Sequence, residues 1–147
     1  MLKRPAIVFK TVKEWNPLEI VRLYRAGGWW RDEWDPSRLA ALMQGSFFFV
    51  LAVDADSGEA VGMGRAISDG ASDAYIQDVV VLPEFRGQGI GCQIVERLIS
   101  HLEGAGIGWI AAVSNPDTEG FYESLGFRRM IGFVPMLYRG AGHDLPV

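Results

Sequence analysis

The sequence predicts a mixed α/β fold with its elements in the order βααβββαβαβ(β). Three observations carry that prediction. Residues 75–82 read as a strand covered on both faces, because Ile76 and Val79 through Leu82 are apolar and mostly β-branched. An amphipathic helix follows a short turn, with Ile90, Ile94, Leu98 and Ile99 at helical spacing. On either side of this pair, short apolar runs bounded by turn residues alternate with two well-signalled helix starts.

In chain order, residues 6–9 form a first strand. Asn16-Pro17-Leu18-Glu19 starts a helix: Asn at the cap, Pro at the first helical position and Glu completing a capping box. Leu18, Val21, Leu23 and Tyr24 carry the helical pattern until Gly27-Gly28 stops it. Asp35-Pro36 repeats the start signal for a second helix, whose apolar face is Leu39, Leu42 and Met43. Residues 46–53 and 60–67 form a hairpin around a turn at 54–59, and residues 68–73 form another turn. Pro83 cannot donate to a ladder and closes the central strand. The helix after it ends near Gly104 to Gly106, followed by a strand over 107–113 and a turn at Ser114-Asn115-Pro116. A short helix over 117–125 stops at Gly126, a left-handed cap. Residues 127–138 supply one or two closing strands.

At 147 residues the chain is expected to be one domain, residues 1–147, with a genuine core. No apolar run approaches the roughly 18 residues a membrane span needs. The basic start Met-Leu-Lys-Arg-Pro lacks the apolar region of a signal peptide. The one cysteine, Cys92, leaves no internal disulfide and fits a reducing compartment, so a cytoplasmic location is expected. Cys92 reads as a small buried side chain, since no histidine or second cysteine lies near it in sequence. His101 and His143 are too few and too far apart for a metal site, so no metal is expected. A net charge of −4 argues against nucleic-acid binding.

The turn before the central helix is Arg86-Gly87-Gln88-Gly89-Ile90-Gly91. Glycine lets the chain enter left-handed turns and lets a ligand approach closely. A helix start offers unpaired N–H groups and a partial positive charge, which together suit a pyrophosphate. Arg86 adds a forked cation. Taken alone, the glycines fit an anion loop and a plain turn equally well. A P-loop requires Gly-Lys-Ser/Thr where this chain has Gly91-Cys92-Gln93. A dinucleotide fingerprint requires glycine where Cys92 stands.

What the loop does match is Arg/Gln-x-x-Gly-x-Gly/Ala after a strand, which resembles the acetyl-CoA pyrophosphate loop of the GNAT acetyltransferase superfamily. A second segment, Asn115-x-x-Thr118-x-x-Phe121-Tyr122-Glu-Ser-Leu125-Gly126-Phe127, resembles that family's Asn-x-x-Ala-x-x-Phe-Tyr-x-x-x-Gly-Phe, with Thr118 where alanine is more usual. The two arrive in family order and cover about the last two-thirds of the chain. The resemblance implies a mixed, mostly antiparallel central sheet flanked by helices, and transfer of an acetyl group from acetyl-CoA to a primary amine through a ternary complex. It implies that the backbone of Val79, Val80 and Val81 pairs with the pantetheine arm, one N–H there polarising the thioester carbonyl. It implies that Arg86, Gly87, Gln88, Gly89, Ile90 and Gly91 hold the pyrophosphate and that Asn115 contacts the pantetheine. Tyr122 then assists the departing thiolate. A tyrosine of pKa about 10 does not protonate a thiolate of about 8.5 without cost, so hydrogen-bond donation is the better picture.

Tyr75 and Gln77 stand where several relatives place a glutamate or histidine base, and neither is a base near neutral pH. Asp73 shares their strand face by parity, Asp78 faces the other way, and Asp32 and Glu33 are further candidates, so the base is unassigned. Trp29, Trp30, Asp32, Glu33 and Trp34 lie on the loop that shapes the acceptor pocket in such proteins. Aromatic faces and carboxylates suit a cationic amine, while the same tryptophans could simply fill the gap between helices. Two other functions stay open: a non-catalytic acyl-CoA-binding module or sensor, and an interaction protein with a tryptophan-rich surface. Relatives often pair, which leaves a homodimer open, with no interface located.

Overall fold

The computed structural model describes residues 3–138, so His143 lies outside the described part. The chain divides into two compact units, Met1–Ala112 and Val113–Val147.

The first unit holds a five-stranded sheet in the order β1 (Ile7–Thr11), β2 (Phe48–Asp54), β3 (Ala60–Ser68), β4 (Asp73–Val81) and β5 (Trp109–Ala112). The first three pairings are antiparallel and β4–β5 is parallel, so the sheet is mixed and mostly antiparallel. Its helices are α1 (Pro17–Ala26), α2 (Leu39–Gly45) and α3 (Ile90–Gly104). No helix among the described residues is long and apolar enough to cross a membrane.

The Asn16 side chain caps α1 by accepting from the Leu18 N–H at 3.0 Å. Glu19 differs from expectation. Rather than reaching back to Asn16, its Oε1 accepts from the Ala60 N–H at 2.7 Å and from Trp15 Nε1 at 3.1 Å. It thereby ties α1 to the start of β3, because a long-range N–H offered a better-placed donor than the local one. Asp35 caps as read, accepting from the Ser37 N–H at 2.9 Å, but the first turn it caps is a 3₁₀ turn, Pro36–Arg38, from which α2 continues.

The core lies on both faces of the sheet. Residues 49–53 of β2 are all buried, and α3 contributes Ile94, Val95, Leu98 and Leu102. Glycine makes the close approach of α3 possible: a Cβ at Gly64 would stand 2.7 Å from Ile94 Cγ2 and 3.1 Å from Leu98 Cδ1. By strand alternation Arg65 points to the opposite face, where it meets Tyr24 and Asp78 around a shared carboxylate oxygen.

The ladder between β3 and β4 is irregular. Arg65 pairs with Gln77 and Met63 with Val80, so Asp78 and Val79 together oppose Gly64 alone. Asp78 is the bulge residue, with φ 56. The bulge breaks the parity on which its side-chain direction was read: Asp78 and Gln77 both reach Arg65 instead of facing away from each other.

The second unit contains α4 (Glu119–Ser124). The closing strands expected over 127–138 do not form among the described residues. Gly132 turns the chain with φ 82, and Pro135 removes a ladder donor. β-Propensity becomes a strand only where a partner edge takes it up.

Gly64→Ala should destabilise the fold by about 1–3 kcal/mol, since Ile94 is stiff at its branch and cannot swing away. Gly104→Ala, where a Cβ meets nothing within 4 Å, should be neutral or stabilising by up to about 1 kcal/mol. Urea denaturation of the two variants checks the opposite signs.

Candidate active site

The site begins where β4 loses a neighbour. β5 pairs with β4 only over residues 73–76, and the ladder stops at Ile76–Ala112. Residues 77–81 therefore have β3 on one side and, among the described residues, no strand on the other. The Leu82 N–H bonds toward β3, to Val61 O at 2.9 Å. Alternation then turns the N–H and C=O of Val81, and of Val79, to the free edge.

Arg86 occupies part of that edge. Its Nε donates to the Val81 carbonyl at 2.8 Å and its Nη2 to the Ala26 carbonyl at 3.4 Å, leaving Nη1 without a protein partner among the described residues. After the turn at Pro83–Phe85 come Gly87 and Gly89 with φ 76 and 79. Both are in the left-handed region, and a Cβ at either would meet open space, so their need for glycine is conformational. Gly89 is the N-cap of α3 and offers no side-chain cap. Gln93 is the first residue whose N–H bonds back, to Gly89 O at 3.2 Å. The amides of residues 87–92 make no hydrogen bond among the described residues. They stand at the positive end of a 15-residue helix, which suits an anion.

A cavity of about 390 Å³ opens beside α1 and α2, lined by Tyr24, Trp30, Glu33, Trp34, Asp35, Arg38, Leu39 and Leu42. Trp30 meets Trp34 edge-on at 5.6 Å and Tyr24 at 6.5 Å. The acids of this loop have three different fates. Asp32 is 81% exposed and pairs with Arg25 at 2.7 Å, away from the lining. Asp35 lines the cavity while capping Ser37, and that backbone hydrogen bond holds its carboxyl below the usual carboxylate range. Glu33 lines the cavity with no protein partner among the described residues. Trp29 packs its ring over Gly27 and edge-on to Tyr24 at 6.2 Å, outside the lining.

Tyr75 is 42% exposed and edge-on to Trp109 at 5.5 Å. Gln77 Oε1 accepts from Arg65 Nη2 at 3.5 Å, and Asp73 Oδ1 accepts from Ser72 Oγ at 2.8 Å. Sequence reasoning missed the partnership of Tyr24, Arg65 and Asp78. Its one visible signal was an aspartate inside an otherwise β-branched strand.

In the second unit, Tyr122 packs edge-on to Phe121 at 5.0 Å and to Phe127 at 5.4 Å. Burial pushes its hydroxyl pKa above the ordinary tyrosine value. Asn115 begins the turn into α4, and its carbonyl accepts from Thr118 Oγ1 at 2.7 Å and from the Thr118 N–H at 3.1 Å. Thr118 thus has a local role that alanine would lack. Among the described residues no three His, Cys, Asp or Glu side chains gather as a metal would require.

A model of the acetyltransferase (GNAT) family matches residues 11–127. The uncharacterized N-acetyltransferase ycf52 of Porphyra purpurea is 31% identical over 121 residues, covering 82% of this chain and 70% of its own. Serotonin N-acetyltransferase 2, chloroplastic, of Oryza sativa subsp. japonica is 40% identical over 76 residues, which are 52% of this chain and 38% of that protein. Among solved structures, a GNAT-family acetyltransferase from Streptococcus pneumoniae TIGR4 matches with a TM-score of 0.73 at 26% identity, over 92% of this chain and 99% of the other.

Gly89→Glu should weaken CoA binding at least tenfold in calorimetry, since it adds strain at φ 79 and a carboxylate where an anion would sit. Near-normal affinity would mean that this loop holds no phosphate.

Proposed function

The chain belongs to the acetyltransferase (GNAT) family, and we propose on that premise that it moves an acetyl group from acetyl-CoA to a primary amine in a ternary complex. One observation carries the reading: among the described residues, a strand with a free edge runs directly into six unbonded amides at a helix start. The family match begins in the first unit and continues into the second, which supports one functional domain.

On this reading the pantetheine arm adds to β4 as a further strand. Arg86 already occupies the Val81 carbonyl, so the Val79 carbonyl is the acceptor left on that edge, and the Val79 or Val81 N–H polarises the thioester oxygen. The amides of Gly87, Gln88, Gly89, Ile90 and Gly91 hold the pyrophosphate, with Arg86 Nη1 as a further donor. Asn115 contacts the pantetheine arm. Tyr122 donates a hydrogen bond to the developing thiolate. Because burial raises its pKa, it stays protonated at neutral pH and can keep that role.

The amine occupies the cavity. Glu33 and Asp35 against Arg38 leave one net negative charge in the lining, which favours a singly charged amine over a polyamine. The aromatic and leucine walls favour an apolar body. An arylalkylamine fits both demands, and the rice relative is named for one. The bound ammonium gives its proton to water before the neutral amine attacks, and no enzyme base is assigned. That same lack, with Tyr75 and Gln77 at the positions of the bases, favours the second reading: an acyl-CoA-binding module without turnover.

Calorimetry with acetyl-CoA, followed by thiol release against a panel of amines, separates the two. Amine-dependent release establishes the enzyme; tight binding with no release across the panel supports the module. Tyr122→Phe should lower kcat by roughly 10–10³ with acetyl-CoA affinity retained, and unchanged turnover would leave it a packing residue. Glu33→Gln should raise the acceptor KM several-fold while Asp32→Asn leaves it unchanged, because Asp32 is spent on an exposed pair with Arg25. Equal effects in steady-state kinetics would mean that the cavity does not select the amine.

A further inference from the structure

We propose that Tyr24, Asp78 and Arg65 form a brace that fixes the bulge of β4 and holds the acceptor cavity and the donor strand in one geometry, with Asp78 as a positioning residue for the transfer. The proposal rests on the function given above for β4 and the cavity.

The bulge needs holding. Asp78 has φ 56 inside a strand, a conformation that persists in a non-glycine residue only when its surroundings enforce it. Two partners do so from different elements. Its Oδ2 accepts from Arg65 Nε of β3 at 2.6 Å and from the Tyr24 hydroxyl of α1 at 2.7 Å. The Arg65 and Asp78 side chains are 15% and 23% exposed, so solvent and salt screen their bond weakly. Both bonds are charge-assisted and therefore short and directional.

The same group of side chains reaches the cavity lining by two routes. The Tyr24 ring is one of its walls. Arg65 extends to Ser46 Oγ at 3.5 Å, and Ser46, only 1% exposed, donates that hydroxyl to the Leu42 carbonyl at 2.7 Å. Leu42, on α2, also lines the cavity. On the other side of the brace, Asp78 directly precedes Val79, the first residue of the free edge assigned to the donor. One carboxylate thus sets where β4 diverges from β5 and where the acceptor walls stand. Burial also raises the Tyr24 pKa, which keeps its hydroxyl a donor throughout the working range.

A brace and a merely tolerant bulge make opposite predictions for Asp78→Gly. Glycine accepts φ 56 without strain, so a position that only needs a left-handed residue would work as well or better with it. The brace predicts instead that Asp78→Gly and Tyr24→Phe each lower kcat at least about tenfold through lost orientation, with the acetyl-CoA Kd within about threefold of the parent. It also predicts faster amide hydrogen exchange over residues 77–81 with unchanged protection of β1 and β2, and this readout requires no turnover. Wild-type kcat and KM in either variant would overturn the proposal, as would unchanged exchange at 77–81 or an equal loosening of the whole sheet. If the parent protein binds acetyl-CoA but shows no turnover, the function given above fails, and the exchange pattern alone decides the brace: selective loosening of 77–81 upholds it and any other pattern overturns it.

Discussion

The constraint on which the rest depends is the unfinished hydrogen bonding of β4. A buried or half-buried strand must place every N–H and C=O somewhere, and β4 pairs with β5 over residues 73–76, with β3 on its other side, and then loses β5. Beyond the bulge the strand keeps β3 alone and presents an open edge, a feature that proteins ordinarily cover or blunt. Here Arg86 covers only the Val81 carbonyl. The opening is built by the insertion of one extra residue and the left-handed turn of Asp78, so it belongs to the sheet itself rather than to a loop laid over it.

The helix after this strand is aimed by packing as much as by its turn. Gly62 and Gly64 leave room on β3 for Ile94 and Leu98, so α3 sits close against the sheet. Its first amides therefore emerge just past the end of β4. Left-handed glycines at 87 and 89 then turn the chain without placing a side chain over those amides. Strand edge and helix start follow each other within about ten residues, and this proximity is what a long, jointed donor with a charged pyrophosphate would require.

The acidic and aromatic loop shows how little composition says about role. Asp32, Glu33 and Asp35 are close in sequence, yet one pairs with Arg25 in solvent, one lines a cavity with no partner among the described residues and one caps a turn. Trp29, Trp30 and Trp34 divide in the same manner, Trp29 packing on Gly27 and the other two lining the cavity. Each outcome depends on where the α1 end and the Pro36–Arg38 turn direct the chain, and neighbouring residues on such a path face different ways.

By itself the sequence determined the elements whose causes are local. Pro17 and Pro36 behind Asn16 and Asp35 mark helix starts, Pro83 ends the central strand, and alternate glycines open α3; each acts through its own backbone geometry or nearest amide. The antiparallel run from β2 to β4 was legible for the same reason, since short turns leave consecutive strands little choice but to pair. Only the tertiary structure decided what depends on distant partners. Glu19 left its capping box for the Ala60 N–H, Asp78 turned against strand parity toward Tyr24 and Arg65, and residues 127–138 formed no strand among the described residues despite their β-branched and aromatic content. The physical reason is common to all three. A backbone propensity or a side-chain spacing states what a residue can do, while a hydrogen bond to a residue 13, 41 or 54 positions away is set by which groups the finished fold brings within about 3 Å.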